Sequence, residues 1–331
     1  MPFPLQHMQG LMPDSEENPV YMQDWFTAIA AKERILRVEV VEDRNVVASF
    51  SCSLYRNPFG MRQAYNLPWA RVTGPIIDAN DDPARRRKSI ESLISQLPRN
   101  RSYFLTLSNE DDFRIFLASG FDSELEDNFL IPADQAKTWE RGLSKMSVRH
   151  LRSAEKALKI SPLEPEEFIR QYAEHLAMRR RKPYADLSIA RDILIEATRR
   201  GQARVTAARR RDTGEIDAAV ACLWDSGRYY YWMTTRRPPS GAQRAPHQGG
   251  VKLLMYAAIN HAHAKGLTFD FDGVPSARVA KLYAGMGGTK SVRYKVKRET
   301  TCERLASVVR SPVKAALRNT FGRLIKLKLN H

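Results

Sequence analysis

Residues 248–290 read QGGVKLLMYAAINHAHAKGLTFDFDGVPSARVAKLYAGMGGTK. After the turn Gln248-Gly249-Gly250, apolar residues at Leu253, Leu254, Ala257, Ala258 and Ala262 recur with helical spacing, which predicts a helix from about Val251 to Lys265. Gly266 is placed to stop it, because glycine meets no Cβ penalty in the left-handed conformation that ends a helix. Thr268-Phe269-Asp270-Phe271-Asp272 alternates strictly, so a short strand sends both phenylalanines to one face and both aspartates to the other. A second helix, Ser276 to Ala284, runs into Gly285-Met286-Gly287-Gly288.

Before this stretch, strands are predicted at Gln202–Ala208, Ile216–Trp224 and Arg228–Thr235, with turns at Asp212–Glu215 and Ser226-Gly227. Helices at Glu166–Arg180 and Asp186–Arg200 precede them, and Ser291–Lys297 is expected to close the sheet. The first half has a shorter version of the same order. A helix at Pro19–Lys32 leads to strands at Ile35–Val41 and Val46–Tyr55, then one within Arg62–Ile77 broken by Pro68 and Pro75. A helix at Lys88–Leu97, a strand at Ser102–Leu107, a helix at Asp111–Ala118 and a closing strand around Phe129–Ile131 follow. Ala133–Ala157 reads as a helical connector with Lys145, Arg149, His150, Arg152 and Lys156 on its polar side. Ile115-Phe116-Leu117-Ala118-Ser119-Gly120-Phe121 has the layout of Leu282-Tyr283-Ala284-Gly285-Met286-Gly287-Gly288, which marks a diverged internal repeat.

The expected fold is α/β (α+β), with two tandem domains, each a mixed, mostly antiparallel sheet flanked by helices. The boundaries are a loose segment at 1–18, a first domain at 19–135, a second at 136–300 and a basic tail at 301–331. The net charge of +16 calls for an anionic partner. Cys52, Cys222 and Cys302 make neither a disulfide framework nor a metal pattern, and no metal site is expected. The start lacks the features of a signal peptide and no stretch has the length of a membrane span, so the protein is expected in the cytoplasm. The tail, with cations from Arg304 to Lys328 and apolar residues at near-helical spacing, is either a helix packed on the domain or an amphipathic helix on an anionic membrane.

The run Leu282-Tyr283-Ala284-Gly285-Met286-Gly287 resembles a late signature of the GNAT superfamily of N-acyltransferases. The resemblance implies that the amides of the Gln248–Gly250 turn and Val251 hold the pyrophosphate of an acyl-coenzyme A donor. Here Ala245 stands three residues before Gln248, where the family has an Arg or Gln, and Arg244 is one residue further back. The order of elements over 19–298 resembles the tandem Fem-type peptidoglycan aminoacyltransferases and their polysaccharide-biosynthesis relatives. That implies a cell-envelope acceptor: an amine on a sugar or related small precursor. The Fem-type alternative uses aminoacyl-tRNA, and a non-catalytic envelope-biosynthesis scaffold is a third reading. Lys281 lies two residues from Tyr283, off the place where Fem-type enzymes have a lysine, which favours acyl-coenzyme A.

By the same resemblance Tyr283 protonates the leaving thiolate, or else it packs the helix on the sheet. Phe116 holds the matching place in the first half and has no proton to give, so only the second half is expected to be catalytic. Asp270 and Asp272 stand about 6.5–7 Å apart on one strand face, as a base pair of carboxylates or as partners of a cap or an arginine such as Arg278. The resemblance puts the donor along Met233 and Thr234. Alternation places Tyr229, Tyr231 and Met233 on one face of that strand and Tyr230 and Trp232 on the other, one face core and the other an acceptor wall. Arg179, within Arg179–Lys182, and Tyr184 are a candidate clamp for an anionic substrate, with Arg236 and Lys281 as further substrate contacts. Arg85–Lys88 is expected in an exposed loop before a helix.

Overall fold

The computed structural model describes residues 18–31, 34–78, 82–238 and 245–306. The lead-in at 1–17, the centre of the 236–246 loop with Arg244, and the tail from 307 onward lie outside the described residues.

The first half holds α1 (Asp24–Ala30), β1 (Ile35–Glu42), β2 (Asn45–Arg56), β3 (Arg62–Tyr65), β4 (Ile76–Ile77), α2 (Pro83–Ser95), β5 (Ser102–Leu107), α3 (Glu110–Ala118) and β6 (Asp122–Ile131). The second holds α4 (Lys145–Ala157), β7 (Leu158–Pro162), α5 (Pro165–Met178), α6 (Leu187–Arg199), β8 (Ala203–Arg210), β9 (Ile216–Trp224) and β10 (Arg228–Arg236). It ends with α7 (Gly250–Ala264), β11 (Thr268–Asp270), α8 (Ala277–Gly285) and β12 (Thr289–Arg298).

All these strands form one sheet, in the order β1-β2-β3-β5-β12-β6-β11-β10-β9-β8-β7, with β4 on β2. Leaving out β4 and β7, the order repeats about its centre. An antiparallel β2–β3 pair and a parallel β3–β5 pair are answered by antiparallel β9–β10 and parallel β10–β11. This is the tandem architecture, with the last strands exchanged: β12 pairs β5 of the first half, and β6 pairs β11 of the second.

The two strands expected to close separate sheets are therefore the central pair of a single one, antiparallel from Thr289↔Leu130 to Lys297↔Asp122. Charge explains the match. β6 carries Asp122, Glu124, Glu126 and Asp127, and β12 carries Lys290, Arg293, Lys295 and Lys297. Lys290 reaches Asp127 at 2.9 Å and Lys295 reaches Glu126 at 3.2 Å, and opposite charges across strands are favourable. The same acidic run has no apolar alternation, which is why only its last residues read as strand.

Three apolar clusters hold the layers. Phe26 of α1, Phe168 of α5 and Ile193 of α6 pack on one face of the second half's sheet, with Ala221 and Trp232. Leu254 and Ile259 of α7 pack on its other face, with Val220 and Phe269. Ile90 of α2 and Phe116 of α3 cover the first half, with Phe50 and Leu105. α1 thus sits in the core of the second half. No helix among the described residues is long and apolar enough to cross a membrane.

The repeat is visible in the backbone. The amide of Phe121 donates to the carbonyl of Phe116 at 3.2 Å past a left-handed Gly120, and the amide of Gly288 donates to that of Tyr283 at 3.0 Å past a left-handed Gly287. Arg85–Lys88 differs from expectation, since the run lies inside α2. Asp82 caps that helix through Ala84 N, and the arginines find acids: Arg85 with Glu42, Arg86 with the buried Asp112 at 2.6 Å, and Arg87 with Glu91. Edge strand β7, which ends in Pro162, has no counterpart in the sequence reading.

Candidate active site

β10 and β11 pair in parallel for only three residues, Arg228↔Thr268 to Tyr230↔Asp270. Beyond that point they diverge. Asp272 and Gly273 both take positive φ, 64° and 94°, which turns the chain away from β10. For an aspartate this conformation is uncommon and needs local support. The support is Asp270, whose Oδ1 accepts the Asp272 amide at 2.8 Å, and Asn128 of β6, whose Oδ1 accepts the Gly273 amide at 3.0 Å.

Asp270 is a hub. Its oxygens also accept from Asn128 Nδ2 at 3.0 Å, Arg293 at 3.2 Å and Arg228 at 3.2 Å. Asp272 pairs with Arg293 at 2.8 Å. Its Oδ2 lies 3.1 Å from Arg71 Nε, an ion pair outside hydrogen-bonding alignment. The aspartate partners are thus Arg293, Arg228 and Arg71, brought from β12, β10 and the loop after β3, and not Arg278. Burial holds the Asp272 carboxyl above the usual carboxylate range, while Arg71 and Arg293 oppose the shift.

The divergence opens a cavity of about 850 Å³ that runs from the end of β10 across the β5–β12–β6 part of the sheet. Its size is that of a site for a substantial organic ligand. It gathers Tyr283, Asp272, Met233, Thr234, Val251 and Trp232, with Arg179 and Tyr184 at the α5 end. Tyr283 rests on Phe271, ring centroids 4.5 Å apart, and on Phe129 at 6.2 Å. Burial and the Asp272 charge push its phenol well above the usual tyrosine range, so it stays protonated at neutral pH. Packing on Phe271 and a retained phenolic proton coexist in this residue.

Other candidates lie elsewhere. Tyr230 is buried behind the cavity wall, its ring 4.8 Å from that of Tyr21. Met233 joins Tyr230 and Trp232 in one cluster, because the β9–β10 register shifts between Tyr230 and Met233 and a bulge breaks the period of two. Gln248 and Lys281 are exposed, Lys281 on the outer side of α8. Arg236 braces the loop by donating to the Pro246 carbonyl, and its own carbonyl accepts from Arg179.

Both glycines of the turn are buried, Gly249 under α4 and Gly250 against Leu158 of β7 and Ala218 of β9. A Cβ on Gly249 would stand 2.4 Å from the His150 carbonyl and 2.8 Å from Ala154 Cβ. The close approach that demands glycine there is that of α4. The Gly249 amide donates to His247 Nδ1 at 3.0 Å and the Gly250 amide to the His247 carbonyl at 3.2 Å. By helix geometry the amides of Val251 and Lys252 have no carbonyl four residues back within α7, and Val251 and Met255 line the cavity.

Trp69, Arg71, His175 and Arg293 of the wall were absent from the sequence candidates, whereas Arg181 belongs to the Arg179–Lys182 run. Trp69 donates its indole N–H to the Asp186 carbonyl at 2.8 Å and accepts from Trp232 on its own carbonyl at 2.9 Å. His175 Nδ1 lies 2.7 Å from Thr235 Oγ1. Only His175 had a legible signal, since it follows Phe168 and Tyr172 at i+7 and i+3 on the inner face of α5.

Residues 135–295 match the profile of the acetyltransferase (GNAT) domain family. No curated protein matches the chain. Among solved structures, FemX aligns with a TM-score of 0.58 at 11% identity, over 82% of this chain and 90% of that one. The C-terminal domain of a protein from Agrobacterium fabrum, assigned as a lysylphosphatidylglycerol synthetase, aligns at 0.55 and 13% identity, over 82% and 87%. L-PGS from Bacillus licheniformis aligns at 0.52 and 10% identity, over 92% and 98%. At these identities the likeness concerns the fold. The divergent β10 and β11, the helix that follows, and the repeat across the sheet go with an acetyltransferase (GNAT) domain at residues 135–295, within a chain whose fold is GNAT-like and similar to that of FemX.

Proposed function

We propose that the protein moves an acyl group from acyl-coenzyme A to an amine on a cell-envelope sugar or related precursor. The observation that carries this is the place of Tyr283. Its ring lines the cavity opened by the divergence of β10, and its environment keeps the phenol protonated until a thiolate leaves. A proton delivered there prevents the thiolate from re-attacking the new amide.

The donor fits in part. Val251 and Lys252 amides at the start of α7, with the helix dipole, suit a diphosphate, whereas Gly249 and Gly250 are committed to α4 and His247. The thioester supplies an activated acyl carbon, and the end of β10 at Met233 and Thr234 supports it. Six cations on the cavity wall (Arg71, Arg179, Arg181, Arg293, Lys295 and Lys297) face three carboxylates (Glu124, Glu126 and Asp272), so the acceptor carries negative charge. In this reading only the second half does chemistry, since Phe116 stands where Tyr283 would.

The alternative is an aminoacyl-tRNA donor and a peptidoglycan-precursor acceptor. The filled glycine turn favours it, as does the row of exposed Lys145, Arg149, Arg152 and Lys156 along α4 beside that turn. The test is the melting temperature of the purified protein with and without acetyl-coenzyme A, then with longer acyl groups. A ligand that binds the folded state raises it. No rise with any acyl-coenzyme A removes that donor. A rise with charged tRNA in its place supports the alternative.

A further inference from the structure

Among the described residues, His175 is the one histidine on the cavity wall. It stands on α5 and is only 6% exposed. Its Nδ1 meets the Thr235 hydroxyl at 2.7 Å, at the end of β10 and two residues beyond Met233. We infer that His175 is the general base of the transfer, with Nδ1–H donating to Thr235 and Nε2 taking the proton of the attacking amine. This rests on the acyl-transfer reading and adds to it the residue that activates the acceptor.

The step balances. The amine nitrogen bonds to the acyl carbon and gives a proton to His175 Nε2. The carbon–sulfur bond breaks, its electron pair leaves with sulfur, and Tyr283 protonates the thiolate. His175 then releases its proton and the Tyr283 phenolate takes one up, so neither group is consumed.

The surroundings suit these roles. Burial holds the imidazole below the usual histidine range. Arg179 on its own helix and Arg237 beyond β10 push the same way, and Glu174 opposes them. Arg237 is itself paired with Asp217 of β9 at 3.1 Å. Two groups whose environments drive their protonation apart, one neutral and basic, the other neutral and acidic, form an acid–base couple across one cavity. Asp272 is less suited to the task. It is clamped between Arg293 and Arg71, and protonating it would take the carboxylate partner from Arg71 and leave Arg293 to Asp270.

The first test needs no turnover. A long-range proton–nitrogen spectrum of the histidine rings at neutral pH, with His175 assigned by the signals missing from His175→Asn, is expected to show a neutral ring protonated at Nδ1. A cationic ring, or a ring protonated at Nε2, overturns the inference. The second test follows thiol release from acetyl-coenzyme A with a panel of amino sugars. His175→Asn, which keeps a donor toward Thr235, should lower kcat about 100-fold or more with the donor KM unchanged. The acid limb of the kcat–pH profile should disappear, and added imidazole should restore part of the rate of His175→Ala. An unchanged kcat in the asparagine variant overturns the base role alone. Failure of the unaltered protein with every acyl-coenzyme A, together with no thermal shift, overturns the underlying reading instead.

Discussion

The carboxylate of Asp270 accepts the backbone N–H of Asp272 at 2.8 Å, and this bond fixes the left-handed turn by which the chain leaves β10. The cleft exists because one aspartate holds its neighbour's backbone while three arginines neutralise the pair. Replacing Asp270 by alanine would leave Arg293 and the Asp272 amide buried without that partner. A loss of about 3–5 kcal/mol is expected, measured by denaturant unfolding. Asp270→Asn, which keeps an acceptor for the amide, should lose less.

Tyr283 and Phe116 occupy the same position in two copies of one helix-ending turn, and the first half shows that phenylalanine fits there. Tyr283→Phe should therefore fold with a stability within about 1 kcal/mol of the unaltered protein. It should keep its thermal response to donor and lose about 100-fold or more in transfer rate. An unaltered rate would remove the phenol from the chemistry.

Gly249 is a packing glycine. A methyl group there meets the His150 carbonyl at 2.4 Å, so Gly249→Ala should cost about 1–3 kcal/mol as α4 is pushed from α7. Gly250→Ala, whose nearest neighbour is Leu158 Cδ1 at 3.4 Å, should cost less. Thermal melts of the two variants side by side check the order.

His261 predicts a pH dependence. Burial first, then Arg204 and Lys265, push its pKa from 6.5 down to about 4. The unfolded chain then binds a proton between those values that the folded one refuses, so stability is lost as pH falls from about 7 toward 4. His261→Gln should flatten that part of the melting-temperature profile. The ring is only partly buried, with Nδ1 3.2 Å from Tyr229 Oη, so the effect is a slope and not a collapse.

α7, α8 and β9 were legible because each is written in local periodicity. Leu253, Leu254, Ala258 and Ala262 form a stripe that needs no distant partner to be recognised, and Gly266 and Gly287 mark ends through their own φ. The Phe116–Tyr283 correspondence was legible for the same reason, since a helix-ending turn is set within about six residues. Met233 was misplaced because a bulge depends on how β9 and β10 pair, which one strand alone does not encode.

The sequence by itself determined the order of helices and strands apart from edge strand β7, the internal repeat, Tyr283 as the proton donor candidate and the excess of positive charge. Only the tertiary structure decided that β12 and β6 cross between the halves, that Arg71, Arg228 and Arg293 converge on two aspartates, and that His175 faces the cavity with Tyr283. Periodicity and turn chemistry act over a few residues and leave marks in the chain. Strand exchange and ion-pair convergence join residues from about twenty to more than two hundred positions apart, and their energy resides in complementarity that neither partner shows alone.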